Sequence, residues 1–320
     1  MNFIIYSFAV LKNIIYGSSV LFVSKLSDST HVLDILAIRF MLSFIALFLL
    51  NKFHIIKINF KIRNFIRRET YIGKNSPIIS SLLLTAIFEP VLYMLFETLG
   101  IALSSTITVS VLLSLAPISS SIAETVILKE TTSFRKIILL IIGILGVIYI
   151  AINTDTNNGV DTVAGIIFTL LAVICGSLFC VFSRKSSKAY SSIEITYFST
   201  FIGALIFNLI NIVRHFYNGT IHTYFSPLLN IDNLIGFIFL SIVCSIVAVL
   251  MNNFALAKMP VTTMAAFGGL STLVGVLLGV FLNNEHFYMY HLVGMILIFV
   301  RIIGVSYITI KESKMNKIDN

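Results

Sequence analysis

Ten runs of about twenty apolar residues, almost free of charge, leave this 320-residue chain few ways to fold. Hydrocarbon offers no water to exposed N–H and C=O groups, so a membrane span must be a helix or a strand of a closed barrel. Barrel strands alternate apolar and polar residues, and these runs do not. Composition agrees. The chain is 58% hydrophobic and 11% charged, where a soluble domain carries about 25% charge. The expected fold is an all-α polytopic membrane protein with ten transmembrane helices. They run over 2–23, 32–50, 77–101, 105–128, 134–152, 162–183, 193–213, 233–256, 260–283 and 289–310. Pro77 and Pro260 stand at span entrances, where a missing N–H costs nothing.

The net charge is +8. Nucleic acid is one partner such a charge can serve, but here it lies mainly in loops and needs no such partner. With the N-terminus inside, seventeen Lys and Arg fall in inner loops and only Lys25 and Arg214 in outer ones. That is a strong positive-inside pattern. It predicts a multi-pass protein of the cell membrane, in contact with the lipid bilayer, with both termini cytoplasmic. Seven of the basic residues lie in loop 51–74 and act as the topology signal or as a surface touching anionic lipid. No cleavable signal peptide is expected. The first run starts at Asn2 without a basic region and continues past Phe22.

The chain also repeats itself. Ala102 and Glu130 enclose one apolar stretch, and Ala257 and Glu285 enclose another, at an offset of 155. Lys25 and Asp34 match Lys185 and Glu194 at an offset of 160. The predicted organisation is a five-helix repeat over 1–152, an extracytoplasmic linker over 153–161, a second repeat over 162–311 and a cytoplasmic tail over 312–320. Five is odd, so the second repeat enters the membrane from the other side. Inverted repeats of this kind place a binding site near the midplane, between the halves.

Several residues carry a family likeness. Tyr16-Gly17 is followed by Lys25, Arg39 sits in LAIRF, and Pro117 precedes a Lys129-Glu130 ending. Asn284-Glu285 ends the matching span of the second half, and Gly143 and Gly294 stand in the last span of each half. On these features the chain resembles the EamA-type permeases of the drug/metabolite transporter superfamily. The resemblance implies ten helices in two five-helix repeats, with the first four of each half around a central cavity. It also implies transport of solutes that range from amino acids to quaternary amines. The second half departs from the first, with Ser199 opposite Arg39 and Thr272 opposite Pro117.

Ionisable groups in hydrocarbon are costly and therefore functional candidates. At about 1.5 Å rise per residue, Glu89 lies roughly 18 Å into its span and Lys12 roughly 15 Å into the first. Glu89, Tyr93 and Glu97 follow at i, i+4 and i+8 and form one helical stripe. Pro90 breaks the helical ladder beside Glu89 and frees a carbonyl there. This stripe suits an ammonium group or a proton relay, and equally a buried Glu89–Lys12 ion pair between helices. Glu97 and Arg39 suit an outer salt bridge or gate. Glu124 lies near an inner helix end. Arg301 suits packing or a homodimer interface. Asn252 and Asn253 occupy the positions that match Glu97 and Thr98. Tyr197 and Phe267, with Phe88, Phe96 and Phe254, are aromatic candidates for stacking on a ligand.

Other chemistry finds no support. Cys175, Cys180 and Cys244 form no CxxC and read as structural thiols, with no metal. No nucleotide-binding, metalloprotease or nucleophile-elbow motif occurs, so neither a catalytic residue nor a cofactor is expected. The expected function is secondary transport of a small organic solute, an amino acid or related metabolite, in the direction of export. One alternative is uptake of a quaternary amine such as choline. Another is a non-transporting scaffold or an intramembrane enzyme.

Overall fold

Helix breaks recur at matching places in the two halves. The computed structural model describes residues 2–56, 58, 78–128, 134–135, 137–139, 141–142, 145, 149, 162–282 and 288–315. In the first half α1 is Asn2–Ser27 and α2 is Val32–Lys52. Helix α3 covers 78–102 and α4 covers 106–128. In the second half α5 is Val163–Ser186, α6 is Ser192–Tyr217 and α7 is Ile231–Leu256. Helix α8 covers 261–282, and α9 is Met289–Met315. Seven of them, α1 to α7, hold segments long and apolar enough to cross a membrane. The expected span 134–152 lies mostly outside the described residues, as do Lys129-Glu130, Glu285 and most of loop 51–74.

Several helices outrun expectation, α9 among them, which reaches Met315. Helix α1 continues to Ser27 and α6 to Tyr217. Hydropathy marks the edge of hydrocarbon, whereas backbone hydrogen bonding continues past it, so Lys25 and Arg214 ride on helix rather than loop. Caps then set the starts. Ser105, Thr162 and Ser191 each accept a backbone N–H at the head of α4, α5 and α6. Glu194 closes a capping box with Ser191.

The breaks come in pairs. Helix α3 widens into π-type turns over Ile87–Leu92, where Glu89 is extended (φ −142°, ψ 122°) ahead of Pro90. Helix α7 widens over Phe239–Ala248. Helix α4 is interrupted at Ser114-Leu115, with Pro117 just inside the next segment, and α8 at Phe267. Such wide turns and discontinuities gather at functional sites in membrane helices.

Packing follows the same pairing. Helix α1 packs on α8 as α5 packs on α4, and α3 on α5 as α7 on α1. Helix α3 meets α6 as α7 meets α2, while α2–α6 and α4–α8 pair with their own counterparts. Exchanging the halves therefore maps the contacts onto themselves. Close approach depends on small residues. A Cβ on Gly17 would stand 2.5 Å from the Ser271 carbonyl of α8 and 2.7 Å from Val274 Cβ. Buried hydroxyls such as Thr98 and Thr169 bond carbonyls one turn back in their own helices.

Candidate functional site

Six helices, α1, α3, α4, α5, α7 and α8, surround a central cavity of about 100 Å³. Lys12, Tyr16 and Gly17 face it from α1, and Glu89, Tyr93 and Glu97 from α3. Ser110 and Ser120 come from α4, Gly176 and Cys180 from α5, Asn252 from α7, and Ser271 and Thr272 from α8. Of the nine residues expected at a site, Lys12, Glu89, Tyr93, Glu97 and Asn252 line this cavity. Arg39, Asn253, Tyr197 and Phe267 do not.

The charged groups are not neutralised by one another. Glu89, only 5% exposed, accepts a hydrogen bond from Tyr16 Oη at 3.2 Å. Glu97 accepts one from Tyr93 Oη at 2.6 Å. Lys12 donates to the neighbouring Asn13 at 3.5 Å and lies 4.4 Å from the centre of the Tyr16 ring. The Glu89–Lys12 ion pair considered from sequence is thus not formed. Tyr16 stands between the two groups, its ring toward the ammonium and its hydroxyl toward the carboxylate. The i, i+4 relation of Tyr93 and Glu97 is present as a direct hydrogen bond. Because Glu89 is extended, α3 presents its two carboxylates from separate helical segments.

The remaining candidates are engaged elsewhere. Arg39 is 1% exposed, donates from Nε to Ser245 Oγ at 2.7 Å and lies over the Phe40 ring. The expected Arg39–Glu97 salt bridge is not formed. Asn253 accepts from Ser183 at 2.7 Å and donates to Thr196 at 2.9 Å, tying α5, α6 and α7 together. Tyr197 packs on Phe44, Phe267 on Tyr6, Phe254 on Phe8 and Phe88 on Phe182. These four rings thus pack on other rings, whereas Tyr93 lines the cavity together with Tyr16 and Phe179. Arg301, also 1% exposed, donates to the Ser114 carbonyl at the α4 break at 2.6 Å.

Sequence reading missed three features. Tyr16 was noticed only as part of a motif, although its position one turn beyond Lys12 is the signal that both face one way. Ser110 carried no signal, since Ser and Thr are common in membrane helices, and Thr272 stood out only as the unmatched counterpart of Pro117. Polar locks at the two ends were also missed. At one end the Asp34 carboxylate receives Asn211 at 2.9 Å, Arg214 at 2.6 Å and His215 at 2.7 Å from α6. At the other, one oxygen of Glu124 receives Arg184 and the Val261 amide. Among the described residues no group of three or more His, Cys, Asp or Glu is spaced to hold a metal ion.

A bundle of apolar helices, broken in pairs around a charged cavity, defines the class of polytopic membrane transporters. Within that class the chain belongs to the EamA-like transporter family, whose model matches residues 3–152 and 163–307. It is 26% identical over 309 residues to "Uncharacterized transporter YcxC" of Bacillus subtilis (strain 168), covering 97% of this chain and 95% of that one. It is 27% identical over 119 residues to an "Uncharacterized transporter" of Archaeoglobus fulgidus, 37% of this chain and 41% of that one. A solved structure titled "Crystal structure of protein" shares the fold, with a TM-score of 0.63 at 11% identity over 95% of this chain and 97% of that one. The chain is thus a transporter rather than an enzyme, and it contains two EamA halves.

Proposed function

We propose that the protein is a secondary transporter that moves a small zwitterion, an amino acid or close metabolite, outward across the cell membrane. The two halves, inverted relative to each other and with both termini cytoplasmic, rock about the central cavity in alternating access. The observation that carries this reading is the state of the buried charges. Lys12 and the carboxylates Glu89 and Glu97 line one cavity, yet each is bonded to a neutral neighbour and not to the opposite charge. Burying unpaired charge is expensive, and a substrate bearing both signs relieves that cost on arrival. Its carboxylate goes to Lys12 and its ammonium to Glu89, with Tyr16 between them. The match of packing under exchange of halves supports the rocking motion.

Choline-like substrates are the second reading: the rings of Tyr16, Tyr93 and Phe179 line the cavity, but a quaternary amine brings no carboxylate to Lys12. The test is transport in proteoliposomes loaded with labelled amino acids, measured as efflux and as counterflow. Glu89→Gln should abolish transport or its pH dependence while the purified protein stays folded. Full pH-dependent transport by that variant would overturn the assignment.

A further inference from the structure

Three residues that line the cavity each hold a buried side-chain oxygen with no hydrogen-bond partner: Ser110 Oγ on α4, Thr272 Oγ1 on α8 and Asn252 Oδ1 on α7. These residues are only 2%, 3% and 2% exposed. The other hydroxyls of the wall are satisfied. Ser120 donates to Ser177 at 3.2 Å, and Ser271 to the Gly268 carbonyl at 2.6 Å. Buried polar atoms are nearly always paired, so orphans grouped at a cavity wall call for a ligand.

Ser110 and Thr272 lie on the two helices of the α4–α8 contact, and both line the cavity. A Cβ on Gly275, three residues beyond Thr272, would collide with Ser110 Oγ. Gly275 therefore leaves the room in which this hydroxyl sits. The pair also breaks the repeat. At the offset of 155, Ser110 matches Ala265 and Thr272 matches Pro117. Neither residue is repeated in the other half. The charges are equally unmatched, since Lys12 falls opposite Ala172 at offset 160 and Glu89 opposite Cys244 at 155. Four unmatched polar residues, Lys12, Glu89, Ser110 and Thr272, thus line one cavity.

We propose that Ser110 and Thr272 form a side-chain subsite that selects small zwitterions carrying a hydroxyl, and that Asn252 adds a hydrogen-bond acceptor to the same wall. The inference rests on the zwitterion reading above. A cavity of about 100 Å³ suits a small solute such as a short amino acid. A bound hydroxyl would donate to one wall oxygen and accept from the other. An apolar isostere would leave both unpaired, and a site built to bond a hydroxyl rejects the analogue that lacks it.

The probes are L-threonine against L-valine and L-serine against L-alanine, in counterflow with proteoliposomes. Threonine and serine should be transported faster than their apolar partners by about tenfold or more. Thr272→Val and Ser110→Ala, singly and together, should bring that ratio toward one, and Thr272→Ser should preserve it. The single variants serve if the double variant does not fold. Equal transport of all four amino acids, abolished by Glu89→Gln, overturns the subsite and leaves the zwitterion reading standing. A preference that survives Thr272→Val and Ser110→Ala also overturns it. If none of the four is transported, both readings fall.

Discussion

The Glu124 carboxylate on α4 accepts a hydrogen bond from Arg184 at the end of α5, at 2.5 Å. The same oxygen accepts the Val261 amide at 2.9 Å. That amide opens α8, where the helix dipole favours an anion. One side chain thus ties three helices, two from the second half and one from the first. Losing one partner of a buried pair costs about 3–5 kcal/mol. Because the Arg184 side chain is 25% exposed, a smaller loss of about 1–3 kcal/mol is expected for Glu124→Gln. Thermal unfolding in detergent measures it. The variant should also open this end of the cavity, so the free thiol of Cys180 on its wall should react faster with a polar maleimide. Unchanged melting and unchanged labelling would show that Glu124 holds nothing shut.

Tyr16→Phe removes the hydroxyl that donates to Glu89 and keeps the ring beside Lys12. A hydrogen bond to a charged group is worth about 1.5–3 kcal/mol. Transport should fall by about tenfold or more, with little change in melting temperature. Wild-type transport by this variant would remove Tyr16 from the site.

Gly17→Ala places a methyl group against the Ser271 carbonyl and Val274. The obstacle is backbone and a β-branched side chain, so it cannot swing aside. Overpacking costs about 1–3 kcal/mol. Melting should drop, and transport should drop further, because α1 and α8 must slide past one another during the cycle. Alanine here with full transport would argue against that motion.

His31 caps α2 by accepting the Leu33 amide on Nδ1 at 3.2 Å. Partial loss of solvent, then the nearby Arg214 charge, holds its pKa below the ordinary 6.5. A depressed base binds fewer protons folded than unfolded, so its contribution is present above pH 6.5 and lost as pH falls through the lower folded value. His31→Asn keeps an acceptor that does not titrate. Its melting temperature should decline less than wild type between about pH 7.5 and about pH 5. Parallel curves would show that the cap does not titrate with folding.

Hydropathy alone located most of the helices, because the cost of unpaired backbone in lipid overrides local preference. The Glu89–Tyr93–Glu97 stripe was legible for a related reason, since helical periodicity and the rarity of buried charge both flag it. The partners of those charges were not legible. Which of Lys12, Tyr16 or Arg39 reaches Glu89 depends on helix rotation and on an extended residue inside α3, and periodicity encodes neither. Asn253 looked like a cavity amide because it adjoins Asn252, yet one residue is about 100° of helical turn, enough to send it into the α5–α6 contact. Ser110 and Thr272 became visible only as unpaired atoms, a property of three-dimensional accounting.

The locks at the two ends differ in chemistry. One is a carboxylate with three donors from a single helix, Asn211, Arg214 and His215. The other is a carboxylate shared between a guanidinium and a helix start. Parting the helices at one end therefore breaks different bonds from parting them at the other. A duplicated scaffold is thus fastened by unlike chemistry at its two ends, and the symmetry of the helices does not extend to what holds them together.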